Sequence, residues 1–191
     1  MRSNEFNIFP TTILEYDLRN HPSKKTLLEY IENPSNSESH GLLDKGTSSY
    51  KLFPDFLRHP VFISLRNDIQ KCLDDYCYKL GISYVNIENS WFSIMEKGGK
   101  VDNHNHGASI ISGAYYPLLK EDTCNLYFKN PVHNAMIFAY KDLTKSDYQY
   151  HDVRVSIKQD HLYLFPSFLN HYTEKNRGDK RVVVSFNTKF Y

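Results

Sequence analysis

From Pro60 to Leu80 the apolar residues Phe62, Leu65, Ile69, Leu73, Tyr76 and Leu80 recur at steps of three and four. That spacing lines one face of an α-helix. Pro60 suits the first turn, whose amide hydrogens have no intrahelical partner, and Gly81 suits the left-handed residue that ends it. A shorter helix is predicted over 21–33, where Pro22 sits early and Leu27, Leu28 and Ile31 share a face. After Gly81 the period falls to two. SYVNIENSWFSIMEK (83–97) alternates and runs into GGK, which reads as a turn. ASIISGAYYPLL, CNLYFKN, AMIFAY, HDVRVSI, HLYLFP and RVVVSFNTKF follow as short apolar runs parted by charged or turn-prone residues. Near the start, NIFPTTILEYDL alternates enough for an edge strand, where Pro10 is tolerated. Residues 34–50, PSNSESHGLLDKGTSSY, are polar and rich in serine, and read as a surface loop.

Short strands at this spacing, late in a chain, predict a sandwich or barrel. The expected fold class is mostly β with N-terminal helices: a double-stranded β-helix, the cupin-like jelly roll. A length of 191 residues suits a single domain, 1–191, with 1–82 as a helical N-terminal support and 83–191 as the β-helix core. The 15 Tyr and 12 Phe strengthen the β reading, because aromatic rings suit a pleated, half-buried surface. A net charge of +1 gives no electrostatic footprint for nucleic acid or an anionic membrane. Cys72, Cys77 and Cys124 are odd in number and lack metal-finger spacing. They read as small core or boundary residues, so no disulfide framework is expected and a reducing cytoplasm is the default. The opening MRSNEFNIFP lacks the apolar core of a signal peptide, and no apolar run is long enough to cross a bilayer. The expectation is a soluble cytoplasmic protein; its oligomeric state is open, and a homo-oligomer is admitted.

Candidate chemistry enters at residues 101–116, VDNHNHGASIISGAYY. Side chains two apart on an extended segment point the same way, so His104 and His106 converge on one point. Neutral imidazole is the commonest transition-metal ligand, and a mononuclear oxygenase iron takes three protein ligands on one face. The third candidate is His171, in a short loop after the strand that ends in Phe165, Pro166 and Ser167. His21, His40, His59, His133, His151 and His161 lack a partner at ligand spacing and read as surface polarity. In RVVVSFN, alternation puts Arg181, Val183, Ser185 and Asn187 on one face, and in SGAYY it unites Ser112, Ala114 and Tyr116. If both faces line the interior, Arg181 has the hydroxyls of Ser112, Tyr116 and Ser185 near it. A buried guanidinium needs an anion, which a dicarboxylic ligand supplies; pairing with Asp179 or Glu174 at a solvated strand mouth is the other reading.

The arrangement resembles the iron(II)/2-oxoglutarate-dependent dioxygenases, more closely an uncharacterised oxygenase family with a paired HxH. HNH at 104–106, SGAYY at 112–116, LFPSFLNH at 164–171 and RVVVSFN at 181–187 carry the likeness. The resemblance implies Fe(II) held by His104, His106 and His171. It also implies 2-oxoglutarate bound through Arg181, with Ser112 and Tyr116 where the prolyl hydroxylase branch has a cosubstrate-binding Thr and Tyr. The implied reaction uses O2 to hydroxylate a C–H bond of an unidentified small molecule or protein side chain while 2-oxoglutarate becomes succinate and CO2. The wider superfamily has Asp or Glu as second ligand where this chain has His106, and Asp102 is a minor alternative ligand. Two other classes remain open: a three-histidine cupin-type metalloenzyme that uses no 2-oxoglutarate, such as a thiol dioxygenase, and a non-enzymatic jelly-roll binding module. Residues 34–50 and 140–152 are expected as lids over the site.

Overall fold

The computed structural model describes residues 11–131 and 151–190. The expected strand AMIFAY, His133 and nearly all of 140–152 lie outside the described residues, as do the first residues of NIFPTTILEYDL. The main sheet has seven strands in the order β1-β8-β5-β10-β4-β3-β2, and a three-stranded sheet has the order β7-β6-β9. In chain order these are β1 Leu14–Asp17, β2 Glu38–Ser39, β3 Leu43–Ser48, β4 Val85–Val101, β5 Ile111–Leu119, β6 Leu126–Lys129, β7 Asp152–Val155, β8 His161–Pro166, β9 His171–Thr173 and β10 Lys180–Phe190. Every pairing between them is antiparallel. Among the described residues the α-helices are α1, Lys24–Glu32, and α2, Ile63–Leu80. The architecture is the double-stranded β-helix that the strand spacing predicts, with the helices packed on the outside of the larger sheet.

Period-two alternation sorts the side chains into two cores. Val182, Val184 and Phe186 of β10, Ile111 and Tyr115 of β5, and Leu162 and Leu164 of β8 pack with Leu65, Ile69, Leu73 and Tyr76 of α2. The opposite faces, Val183 of β10, Ala114 and Tyr116 of β5 and Tyr163 and Phe165 of β8, meet Leu126 and Phe128 of the smaller sheet. The α2 periodicity therefore buries the predicted face, save that Leu80 is partly exposed at the end. Gly81 closes the helix at φ 65°, the left-handed cap that a side chain disfavours.

Two expectations fail. Residues 34–50 are not simply a loop: β2 and β3 lie within them and extend the sheet beside β4. Their serines, which suggested solvent, are spent on backbone: Ser48 Oγ donates to the Phe92 carbonyl at 2.8 Å, and the Phe92 amide donates to Ser49 Oγ at 3.0 Å. Nor does GGK turn the chain. β4 runs through it to Val101, and between the pairs Asp44↔Lys100 and Gly46↔Met95 it carries surplus residues that bulge out. Gly99 permits this, because a Cβ there would stand 2.6 Å from two carbonyl oxygens of β3. Buried Asn176 ties off the bulge: its amide donates to the Gly99 carbonyl at 2.7 Å, and its carbonyl accepts from Gly98 at 2.6 Å.

Candidate metal centre and cosubstrate pocket

The HNH segment leaves β4 after Val101 and is stitched to the other sheet. His104 and His171 form a two-way antiparallel bridge, His104 amide to His171 carbonyl at 3.0 Å and the reverse at 2.8 Å. The His106 amide donates to the Ser167 carbonyl at 2.9 Å. His171 is not in a loop, as its flanking residues suggested; it opens β9, opposite Phe128 of β6. These bonds bring the ligand nitrogens of His104, His106 and His171 within 4.8 Å of one another. Asp102 stays out of the group: its carboxylate holds Lys100 at 2.6 Å.

Two of the rings are fixed by their own backbone. The Nδ1 of His104 lies 2.8 Å from the Asp102 carbonyl and that of His171 lies 2.9 Å from the Leu169 carbonyl. A carbonyl can only accept, so both Nδ1 atoms carry the proton and both Nε2 lone pairs are free. The third ring, His106, has its Nδ1 3.4 Å from the side-chain amide of Asn187. Asn187 accepts from Ser112 Oγ at 2.9 Å, and Ser112 is also bonded to Ser167 Oγ at 2.8 Å. Burial disfavours the charged imidazolium in all three. It holds His104 below the ordinary value, His106 at about 4 and His171 at about 3, with the neighbouring imidazoles adding to the effect at the last two. The cluster is therefore neutral at physiological pH, the state that binds a cation.

Arg181 opens the face of β10 that points into the same cavity, as the alternation predicts. It is only 2% exposed, and no carboxylate among the described residues pairs with it. Its Nη2 donates to Tyr116 Oη at 3.1 Å, its guanidinium lies 4.9 Å from the Tyr116 ring centre, and its Nε has no partner. The reading in which Asp179 or Glu174 neutralises it is not what the fold provides. A bulge delivers Tyr116: between the pairs Val182↔Leu118 and Val184↔Tyr115, β5 holds one residue more than β10, at the Tyr116–Pro117 step. An inner strand tolerates proline at such an irregularity. Burial raises the Tyr116 phenol above its usual range against the opposing pull of Arg181, so it stays a neutral hydroxyl.

Histidines and arginine line one cavity of about 510 Å³, together with Trp91, Tyr50, His40, Lys51, Ala114, Tyr116, Val183 and Ser185. Of the four residues expected at the cosubstrate, Arg181, Tyr116 and Ser185 meet there. Ser112 does not: the register sets it opposite Asn187, while Arg181 faces Leu119 at the far end of the same strand pair. Sharing a face put Ser112 in the interior, but six positions of strand separate its hydroxyl from the guanidinium. Asn187, Trp91 and Tyr50 were not singled out from the sequence. Asn187 had a signal, since it lies on the Arg181 face; Tyr50 had a coarse one, since it ends the 34–50 segment expected over the site, and the β3–β4 pairing carries that segment to the mouth. His40, read as surface polarity, also lines that mouth.

The arrangement supplies three neutral nitrogen donors for a divalent metal and a buried guanidinium lacking an anion. A buried, orphaned guanidinium nitrogen is costly unless a ligand completes it. The residues present therefore fit both a metal and a dicarboxylate. Residues 89–187 match the profile of the family described as "Putative 2OG-Fe(II) oxygenase", which is just over half of the chain and spans the three histidines, Tyr116, Arg181, Ser185 and Asn187. No curated protein matches. Among solved structures, HygX from Streptomyces hygroscopicus with nickel, 2-oxoglutarate and hygromycin B bound aligns at TM-score 0.67 and 11% identity, over 94% of this chain and 83% of that one. A Pseudomonas putida prolyl-4-hydroxylase aligns at 0.65 and 9%, over 95% and 94%. The non-heme alpha ketoglutarate dependent epimerase SnoN from nogalamycin biosynthesis aligns at 0.66 and 10%, over 94% and 77%. At such identities these likenesses show the shared fold.

Proposed function

Because the chain belongs to the 2OG-Fe(II) oxygenase family, we propose that His104, His106 and His171 hold its Fe(II). In the same reading Arg181 anchors the far carboxylate of 2-oxoglutarate, and an unidentified substrate is hydroxylated beside them. The activity class is that of the family, a 2-oxoglutarate-dependent dioxygenase. The observation that carries the residue assignment is one cavity holding both halves of the requirement, three neutral imidazoles and an unpaired buried guanidinium.

When bound, Fe(II) with 2-oxoglutarate would activate O2, one oxygen atom entering succinate as CO2 leaves and the other the substrate hydroxyl. The chain's own residues bind and orient. His104 and His171 present Nε2 because their Nδ1 protons are spent on carbonyls. Arg181 offers Nε and Nη donors to a carboxylate, and Tyr116 Oη, held by Arg181, can donate its own proton to the same group. Ser185 stands on the β10 face between Arg181 and Asn187. Phe165, whose ring is 4.9 Å from that of His171, closes the wall behind the metal and excludes water. The family match favours neither a cupin-type enzyme without 2-oxoglutarate nor a non-enzymatic module.

Anaerobic titration with Fe(II), followed by succinate release once 2-oxoglutarate and O2 are admitted, tests the assignment. The His171→Ala variant is expected to lose metal affinity by more than about a hundredfold, beyond the effect of removing an outer-shell partner. Arg181→Gln is expected to keep the metal and lose 2-oxoglutarate binding. A parent protein that binds no Fe(II), or a His171→Ala variant that binds it equally well, overturns the assignment.

A further inference from the structure

Beyond the histidines and Arg181, the cavity has an aromatic wall that neither metal nor cosubstrate uses. The rings of His40 and Tyr50 meet edge-on at 5.1 Å, those of Tyr50 and Trp91 meet edge-on at 5.1 Å, and Trp91 stands 5.9 Å from the His106 ring. Tyr50 is 45% exposed and Trp91 is 9%, so the row leads from solvent down to the metal site. The second feature is charge. Among the described residues lining the cavity there is no aspartate or glutamate; its cations are Arg181 and, beside Tyr50 at the mouth, Lys51. Lys51 has only a loose, exposed partner in Glu38 at 3.7 Å, a contact of little energetic weight.

The charge count points the same way. With His106 standing where a carboxylate ligand is usual, a divalent metal and Arg181 together outweigh the two carboxylates of 2-oxoglutarate by one positive charge. Lys51 adds another at the mouth. A cationic substrate would meet repulsion and no counter-charge among the described residues, whereas an anion brings the cavity towards neutrality. We propose, resting on the metal and cosubstrate reading above, that the substrate is a small molecule with an apolar, ring-sized body laid against Tyr50 and Trp91 and an oxyanion paired with Lys51. The volume falls within the range of small-molecule sites, and rings packed edge-on add specificity to the apolar contact.

Trp91 is the single tryptophan of the chain, so its emission reports this cavity alone. Three probes of one shape but different charge, 3-phenylpropanoate, its amide and 3-phenylpropylamine, are titrated against protein loaded with Ni(II) and 2-oxoglutarate and against metal-free Arg181→Gln, where no open guanidinium competes for the acid. The expected order is acid, then amide, then amine, with the acid ahead of the amide by about fivefold, the scale of one exposed ion pair. Lys51→Gln is expected to erase that preference, and Tyr50→Leu to weaken all three probes alike. An amine that binds as well as the acid, a preference that survives in Lys51→Gln, or no saturable response to the acid overturns the proposal. Phenyl phosphate as a fourth probe separates the two oxyanions: tighter than the acid, it assigns phosphate, and weaker, it assigns carboxylate. Ni(II) affinity is measured by itself on the same emission. Failure there overturns the metal assignment, while the probe ranking on metal-free Arg181→Gln still decides the substrate class.

Discussion

Each imidazole of the cluster needs a partner for the ring nitrogen that faces away from the metal, and the three are served unequally. Backbone carbonyls hold His104 and His171, and such acceptors cannot be mutated away. His106 depends on a side chain. As it stands, the Asn187 amide nitrogen faces His106 Nδ1 and its oxygen takes the Ser112 proton. A metal on Nε2 requires the proton to sit on Nδ1, so the amide must turn over, its oxygen accepting from His106 and its nitrogen donating to Ser112. Ser112 can then donate onward to Ser167. Asn187 therefore positions His106 for metal. Asn187→Leu is expected to weaken Ni(II) binding about 10- to 100-fold by calorimetry, whereas Asn187→Asp, a better acceptor, binds at least as tightly as the parent. Equal loss in both variants would reduce Asn187 to a packing residue.

Strands place these residues, and their irregularities place them best. The β5 bulge at Tyr116–Pro117 turns the phenol onto Arg181, and the surplus in β4 lets the strand run on until it delivers His104. On the helix side of β5, Gly113 leaves room for the Phe186 ring, to which a Cβ would stand 2.1 Å distant. Gly113→Ala is therefore expected to destabilise the fold by about 1–3 kcal/mol in denaturant unfolding, the usual toll of overpacking. The metal ligands lie on the other face, so Ni(II) affinity of the folded fraction should hardly change. Element by element, long apolar periodicity was legible: α1, α2, β5, β8 and β10 lie where their patterns put them. The three-residue β9 was not, because a strand that short carries no period and exists through its partners His104 and Phe128. The same holds for β3, whose polar residues are satisfied by β4 on one side and by Ser37 and β2 on the other.

Across the whole molecule, holding the buried imidazoles neutral couples the fold to pH. An unfolded histidine titrates near 6.5, while burial holds His106 at about 4 and His171 at about 3. Below 6.5 the unfolded chain binds protons that the folded one refuses, so stability is full above that value and is lost as pH falls towards 4 and then 3. The metal-free protein should show a lower denaturant midpoint at about pH 5 than at about pH 7.5, and His171→Asn should shrink the difference. An identical pH dependence in parent and variant would remove His171 from that account. By itself the sequence determined what local pattern determines: which segments are helix or strand, which face each residue takes, and that HNH, a later histidine and a strand-opening arginine form a set worth joining. Tertiary structure decided what depends on register and pairing. It set Ser112 behind His106 and not beside Arg181, left the guanidinium without an acid among the described residues, and brought Tyr50 and Lys51 to the mouth. Alternation fixes a side chain's face, because the pleat repeats every two residues; only the neighbouring strand fixes how far along that face it stands.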